Sequence, residues 1–323
     1  MILVTGGAGY IGSHTVAELL RTGVPESDII IADNLSTGHK ESVLGGKLCV
    51  GDLRDSEFVS KLFKENDIDS VIHFAAFSQV GESVVNPLKY YENNVQLSIN
   101  LVRHMVDAGV KKLVFSSTAA VYGEPKNIPI NETDPCIPTN PYGQTKLAVE
   151  GLLKWADNAY GLKYIALRYF NAAGALESGE IGERHDPETH LIPIVLQAAN
   201  GERDCIKVFG TDYPTPDGTC VRDYIHVTDL ASSHIAALKR LKDIGESGIY
   251  NLGNGAGFSV KQVIDVCRQV TNRDIPVELA ERRAGDPATL VASNQKAMAE
   301  LNLKFRYASL ESIIQTAWNF HGN

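Results

Sequence analysis

Met1-Ile-Leu-Val-Thr-Gly-Gly-Ala-Gly-Tyr-Ile-Gly-Ser-His14 is the stretch whose reading decides the fold. Ile2, Leu3 and Val4 form a short apolar run with a β-branched bias, the mark of a buried strand. Thr5 to Gly12 then holds four glycines in eight residues, and Val16, Leu19 and Leu20 return at helical spacing. Strand, glycine turn and helix in that order are what a dinucleotide pyrophosphate requires. Gly6 and Gly9 permit the tight turn and close backbone approach, and Gly12 lets the helix lie near the sheet. The helix N-terminus offers its free N–H groups to the phosphates.

Working outward, Ile29-Ile-Ile-Ala-Asp33 is a second apolar run. It ends in an acid about 20 residues beyond the glycines, where a ribose-binding carboxylate belongs. Asn34-Leu-Ser-Thr-Gly38 follows with no Arg or Lys to hold a 2′-phosphate, which favours NAD over NADP. The competing reading of Asp33 is a turn cap.

Apolar runs continue to alternate with helical patterns as far as about residue 170. Strands are predicted at 2–5, 28–33, 47–50, 70–74, 112–117 and 163–168. Helical patterns cover Ser56–Glu65, Val84–Ala108 and Tyr142–Tyr160 between them. The alternation predicts right-handed βαβ units and a parallel, doubly wound Rossmann-type α/β sheet over 1–170. Around Asn171–Glu188 periodicity fades into a long loop at a domain boundary. Beyond it come helix 191–200, strand 206–209, turns over Gly210–Gly218, strand and helix 223–241, strand 249–252, and helices 259–271 and 309–320. Residues 171–323 therefore read as a smaller mixed α/β C-terminal substrate domain, with part of 222–252 returning to the Rossmann unit.

Composition bounds the function. The 323 residues can bury a large core, and 44% hydrophobic with 21% charged residues is ordinary for a globular protein. A net charge of −9 argues against nucleic acid or anionic membrane as partner. No apolar run reaches membrane-spanning length, and no secretory segment precedes the first strand. Cys49, Cys136, Cys205, Cys220 and Cys267 are scattered and lack metal spacing, so reduced structural thiols in a cytoplasmic enzyme are expected.

The reactive candidates are Ser116-Ser-Thr118 and Tyr142-x-x-x-Lys146. Tyr142 and Lys146 share a face of a predicted helix. A phenol, with a pKa of about 10, is a poor base at neutral pH. A neighbouring ammonium and the cationic ring of oxidised nicotinamide would both favour phenolate. Thr118, at the end of a predicted strand, can relay a proton between a substrate hydroxyl and Tyr142. Asp52, after the third strand, reads equally as a contact to the adenine end and as a turn residue. His73 reads as a packed core histidine.

Thr5-Gly-Gly-Ala-Gly-Tyr-Ile-Gly12, Ser116-Ser-Thr118 and Tyr142-x-x-x-Lys146 resemble the extended short-chain dehydrogenase/reductase superfamily. Further motifs narrow the resemblance, which runs nearly end to end, to its nucleotide-sugar 4-epimerases. They are Asp33-Asn-Leu35, Val80-Gly-Glu-Ser83, Tyr90-Tyr-Glu-Asn-Asn94, Arg168-Tyr-Phe-Asn171, Asp212-Tyr-Pro-Thr215, Asp217-Gly-Thr219, Val221-Arg-Asp-Tyr-Ile-His-Val227 and Arg283-x-Gly-Asp286. The resemblance implies a retained NAD and a transient 4-keto sugar, with Tyr142, Lys146 and Thr118 catalytic. It implies cofactor contacts from Gly6, Gly9, Tyr10, Ile11, Gly12, Asp33, Asn34, Asp52, Leu53, Phe74, Ala75, Ala76, Asn93, Tyr142, Lys146 and Tyr169. On the UDP-sugar side it implies Thr118, Asn171, Leu191, Phe209, Arg222, Tyr224, Leu290, Arg283 and Asp286. It also implies a homodimer.

Two positions depart from the pattern. Ser78 stands where many relatives carry a Lys near the cofactor phosphates. Leu290 stands near a position where some carry a bulky Tyr, so N-acetylated UDP-sugars fit as additional substrates. A dehydratase would need carboxylates after Thr118, where Ala119-Ala120 stand. A uronate epimerase or decarboxylase would need cations for a C6 carboxylate. A non-catalytic NAD sensor would need the glycine loop alone.

Overall fold

The structure, a computed structural model, describes residues 1–283 and 287–322. Its centre is a seven-stranded parallel sheet. Six of the strands are β1 (Ile2–Thr5), β2 (Ile29–Asp33), β3 (Lys47–Val50), β4 (Ser70–His73), β5 (Lys112–Ser116) and β6 (Lys163–Tyr169), and the seventh is Gly248–Leu252. Every residue of β1, β2 and β4 is buried, which is why these segments read as continuous apolar runs rather than alternating ones.

The spatial order is Gly248–Leu252, β6, β5, β4, β1, β2, β3. The chain steps outward from β1 in both directions, so the winding reverses between β1 and β4. A crevice opens at the carboxyl ends of the strands at that reversal. Helices Ser56–Glu65, Leu97–Asp107 and Pro141–Tyr160 cover one face with Val59, Leu62, Leu101, Met105, Val149 and Leu153. Helices Tyr10–Arg21 and Val227–Asp243 cover the other with Val16, Leu19, Leu230, Ala237 and Leu238. Ala297, Leu301 and Leu303 also pack into this second layer, so the chain comes back to the sheet twice after residue 171.

A separate core forms from helices Leu191–Ala199, Val260–Thr271 and Leu310–His321 around Val195, Leu196, Val263, Ile264, Ile313 and Ile314. Small paired strands join it: Asn171–Ala173 with Tyr224–His226, and Ile206–Phe209 with Val277–Ala280. The predicted loop at 171–188 therefore begins with a short strand. Asn171 N donates to Asp223 O at 3.1 Å, a pairing that local sequence cannot disclose.

The single helical pattern expected over 84–108 is broken into Val80–Val85, Pro87–Tyr90, a π-helical turn Tyr91–Gln96 and Leu97–Asp107. Pro87 has no N–H to continue the first helix and instead starts the second. The π turn brings Asn93 and Asn94 inward, both buried. Such turns recur at functional sites.

Candidate active site

The carboxyl ends of the strands line a cavity of about 680 Å³, a size suited to small-molecule ligands. Gly6, Gly9, Tyr10, Ile11 and Gly12 come to it from the loop after β1, and Asp33 and Asn34 from the end of β2. Leu53, Phe74, Ala75, Ala76 and Asn93 form the next part of the wall. Thr118, Tyr142, Lys146, Tyr169, Asn171, Arg222 and Leu290 complete it. Other predicted positions stand outside the lining. Asp52 is paired with Arg54 at 2.6 Å. Leu191 and Tyr224 pack into the second core. Phe209 lies beneath the Arg283 guanidinium, 3.9 Å from its ring centroid. Asp286 lies outside the described residues.

The glycine loop fits a dinucleotide on its own geometry. Gly6 has φ +68°, and a Cβ there would sit 2.6 Å from Ala75 N; one on Gly12 would sit 2.1 Å from Gly6 O. Neither position has room for a side chain. The helix after the loop has Gly9 as its N-cap with no side-chain cap, so its first-turn N–H groups remain for phosphate oxygens. Asp33 anchors the loop: Oδ2 accepts from Ala8 N at 3.0 Å and Oδ1 from Leu35 N at 2.8 Å. His73 belongs to the packing beneath. Its Nδ1 bonds the Thr5 hydroxyl at 2.6 Å and its Nε2 the Ser98 hydroxyl at 3.0 Å.

The reactive side chains hang from the sheet and one helix. Asn140 caps Pro141–Tyr160 by accepting from Gly143 N at 2.8 Å, which fixes where Tyr142 starts its turn. Tyr142 N also donates to the buried Ser83 hydroxyl at 3.2 Å. Lys146 Nζ donates to Ser116 O at 2.8 Å. Burial brings the Lys146 ammonium down to about 7, with Glu150 opposing. Burial also pushes the Tyr142 phenol up to about 12, with the Thr118 hydroxyl opposing. Thr118 Oγ1 accepts from Ala120 N at 3.1 Å, which leaves its own proton to donate. The groups in place thus keep the phenol protonated, and a further positive charge is needed to ionise it near neutrality.

Supporting contacts that spacing did not reveal surround this set. Asn94 takes Phe77 N at 2.8 Å and gives to Phe77 O at 3.0 Å and the Thr145 hydroxyl at 3.1 Å. It ties the wall after β4 to the Tyr142 helix. The Tyr169 hydroxyl pairs with that of Ser116 at 2.7 Å. Glu183, His185 and His190 also line the cavity, from the stretch read only as loop. Their signal was the Glu-x-His-x-x-Glu-x-His spacing over 183–190.

Residues 2–253 match the model of the NAD dependent epimerase/dehydratase family. The UDP-glucose 4-epimerase of Halalkalibacterium halodurans is 57% identical over 99% of this chain and 95% of its own. A solved UDP-glucose 4-epimerase from Brucella ovis in complex with NAD superposes with a TM-score of 0.96 at 46% identity, over 99% of this chain and 98% of that one. A UDP-Glc/GlcNAc 4-epimerase from Campylobacter jejuni gives 0.87 at 44% identity, with 99% and 98% covered.

Proposed function

The chain belongs to the NAD dependent epimerase/dehydratase family, and from that premise we propose how its own residues divide the work of the reaction. It is an isomerase that interconverts UDP-glucose and UDP-galactose at C4 with NAD as cofactor. NAD⁺, which the glycine loop and the end of β2 would hold, would supply a reversible hydride acceptor for C4 and a cationic ring that favours the phenolate of Tyr142.

Tyr142 removes the proton of the sugar 4-hydroxyl and gives it back once the 4-keto sugar has turned its other face. Thr118 holds that hydroxyl and passes the proton. Lys146, fixed on Ser116 O, positions the cofactor-facing end of the helix and supports the phenolate. Gly6, Gly9, Tyr10, Ile11, Gly12, Asp33, Asn34 and Leu53 hold the adenosine and diphosphate half; Phe74, Ala75, Ala76, Asn93 and Tyr169 border the remainder. Asn171 and Arg222 face the UDP-sugar, whose phosphates suit a planar cation. Arg283 joins Arg222 on the phosphates, and Phe209 and Asp286 serve the uridine end. Residues 1–170, with part of 222–252, form the NAD unit, and 171–323 mainly the sugar-nucleotide side.

The observation that carries this assignment is the convergence of Tyr142, Lys146, Thr118 and the glycine loop on one cavity. Proton NMR of UDP-galactose with the purified protein and no added cofactor tests it. A UDP-glucose/UDP-galactose mixture should form at equilibrium; UDP-galactose left intact even with NAD supplied would refute the assignment.

Leu290, lining the cavity in place of a larger aromatic ring, favours N-acetylated UDP-sugars as further substrates. We also assign a cytoplasmic homodimer. Val84, Val85 and Leu88 are exposed on the short helices Val80–Val85 and Pro87–Tyr90, and Trp155 on Pro141–Tyr160, which packs against both; exposed apolar side chains of this size suit a partner surface. Among the described residues no helix is long and apolar enough to cross a membrane.

A further inference from the structure

Between the strand Asn171–Ala173 and the helix Leu191–Ala199 the chain runs irregularly, yet it places four ligating side chains together. Glu183, His185, Glu188 and His190 each offer one ligand atom, and the four atoms lie within 4.8 Å of one another. Donors about 2.0 Å from a tetrahedral zinc ion stand about 3.3 Å apart. His190 Nδ1 and Glu183 Oε1 are hydrogen-bonded to each other at 2.5 Å and must part to admit an ion, whereas Glu183 Oε1–His185 Nδ1 and His185 Nδ1–Glu188 Oε2 stand 3.2 and 3.6 Å apart.

We propose that these four residues form a site for one zinc-class divalent cation, which staples the turn 183–190 beside the glycine loop. Three observations carry it besides the spacing. His185 Nδ1 is enclosed and faces carboxylate oxygens at 3.2 Å (Glu183 Oε1) and 3.6 Å (Glu188 Oε2) without a hydrogen bond of good geometry. Glu188 splits its oxygens: Oε1 accepts from Thr189 N at 2.7 Å and His190 N at 2.8 Å, which leaves Oε2 for a ligand. Glu183 and Glu188 are buried in or beside the wall of a cavity that receives diphosphates. Buried carboxylates need a positive partner, which the two imidazolium side chains supply without a metal and a dication supplies when the imidazoles serve as neutral ligands.

Two imidazole nitrogens with two carboxylates suit zinc and its neighbours in the transition series, whereas calcium and magnesium take oxygen donors. The ion holds the segment at the cofactor loop. His185 meets the edge of Tyr10 at 6.3 Å between ring centroids, and the Tyr10 hydroxyl donates to Gly174 O at 2.6 Å. A metal held by four side chains of one short turn fixes that turn in the folded chain.

The test is a zinc titration of the chelator-treated, NAD-retaining protein against a chromogenic indicator, followed by cobalt(II) substitution. The wild-type chain should take up one zinc ion, and its cobalt form should show the visible bands of a four-coordinate nitrogen/oxygen site without thiolate charge transfer. His185→Ala/His190→Ala should lose that uptake while keeping bound NAD, and Glu188→Gln should weaken it. Absence of uptake by the wild-type chain overturns the proposal. So do thiolate bands in the cobalt form, or unchanged uptake in the double variant. Should the double variant not fold, the wild-type titration and cobalt spectrum decide alone.

Discussion

Lys146 Nζ donates a 2.8 Å hydrogen bond to the carbonyl of Ser116, one helical turn along from Tyr142. The bond locks the lysine to the carboxyl end of β5 and so fixes the helix that carries the phenol. Because burial holds that phenol up at about 12, the base role proposed for Tyr142 needs the positive charge of a loaded site. Tyr142→Phe should lower kcat by roughly 10²–10⁴-fold, the usual weight of a positioned acid–base group. NAD should remain bound, which absorbance of the released cofactor after denaturation checks. A variant that keeps wild-type turnover would move the proton transfer to another residue.

Beneath the site, Glu150 grips Arg168 with both oxygens, at 2.6 and 2.9 Å, and also accepts from the Ser117 hydroxyl at 2.6 Å. The arginine continues to the Tyr122 hydroxyl at 2.9 Å. Both charges are nearly sealed from water, so losing one strands the other. Glu150→Gln should cost about 3–5 kcal/mol of unfolding free energy. Urea unfolding followed by circular dichroism reads this. A loss below about 1 kcal/mol would show that water reaches the arginine.

Asp33 braces the glycine loop and the turn after β2 through Ala8 N and Leu35 N. Asn at this position keeps the shape but can accept through only one of its two terminal atoms. Hydrogen bonds to a charged group contribute about 1.5–3 kcal/mol. Asp33→Asn should therefore weaken NAD by roughly 10–100-fold, measured by fluorescence titration of NAD-stripped protein. Unchanged affinity would mean that the cofactor ribose takes nothing from this carboxylate.

The parts of this site that local sequence encodes were legible. The glycine loop, Asp33 and the Tyr142/Lys146 pair each need only a few neighbouring residues to declare their geometry. The seven-stranded sheet was legible too, since β1, β2 and β4 are buried on both faces and spell themselves as apolar runs. What stayed hidden depends on partners far along the chain. Asn94 acts through Phe77 and Thr145, and Glu183, His185 and His190 gain meaning only when their segment folds over the cavity. The break at Pro87 and the π turn were masked because apolar residues continue at helical spacing through both. Leu191 and Tyr224 show the reverse effect: a motif brought them to the substrate side, whereas packing puts their side chains in the second core.

Leu290 lines the cavity from a two-residue strand that pairs with Val221–Arg222, and its side chain packs against the cluster of Val121, Tyr122 and Phe170. If it leaves the room for an N-acetyl group, Leu290→Tyr should suppress UDP-N-acetylglucosamine turnover far more than UDP-galactose turnover. Extra bulk in a packed site costs about 1–3 kcal/mol, or roughly 10-fold or more in kcat/KM for the larger sugar. Equal loss on both sugars would place the selectivity elsewhere.

Acid should weaken the fold through its buried histidines. Burial brings His73 and His226 down to about 3, and His14 and His234 down to about 4. Lys146 adds to the effect on His73. In the unfolded chain each titrates near 6.5. Between those values the unfolded state binds protons that the folded state refuses, so stability is fully present above about 6.5 and lost as pH falls toward 4. Each such histidine contributes a slope of about 1.4 kcal/mol per pH unit inside that window. Glu183, held down to about 2 by its histidine partners against burial, begins to lose its contribution only below the ordinary carboxylate range. His185, raised to about 10 by Glu183 and Glu188 against burial, loses its contribution on the alkaline side. The interval from pH 6 to 5 therefore isolates the neutral histidines. Urea midpoints should fall steadily across it, and His73→Gln should reduce the slope by about one histidine's share while lowering stability at every pH. Parallel curves for the two proteins would mean that His73 is protonated in the fold, with its Thr5 and Ser98 bonds rearranged.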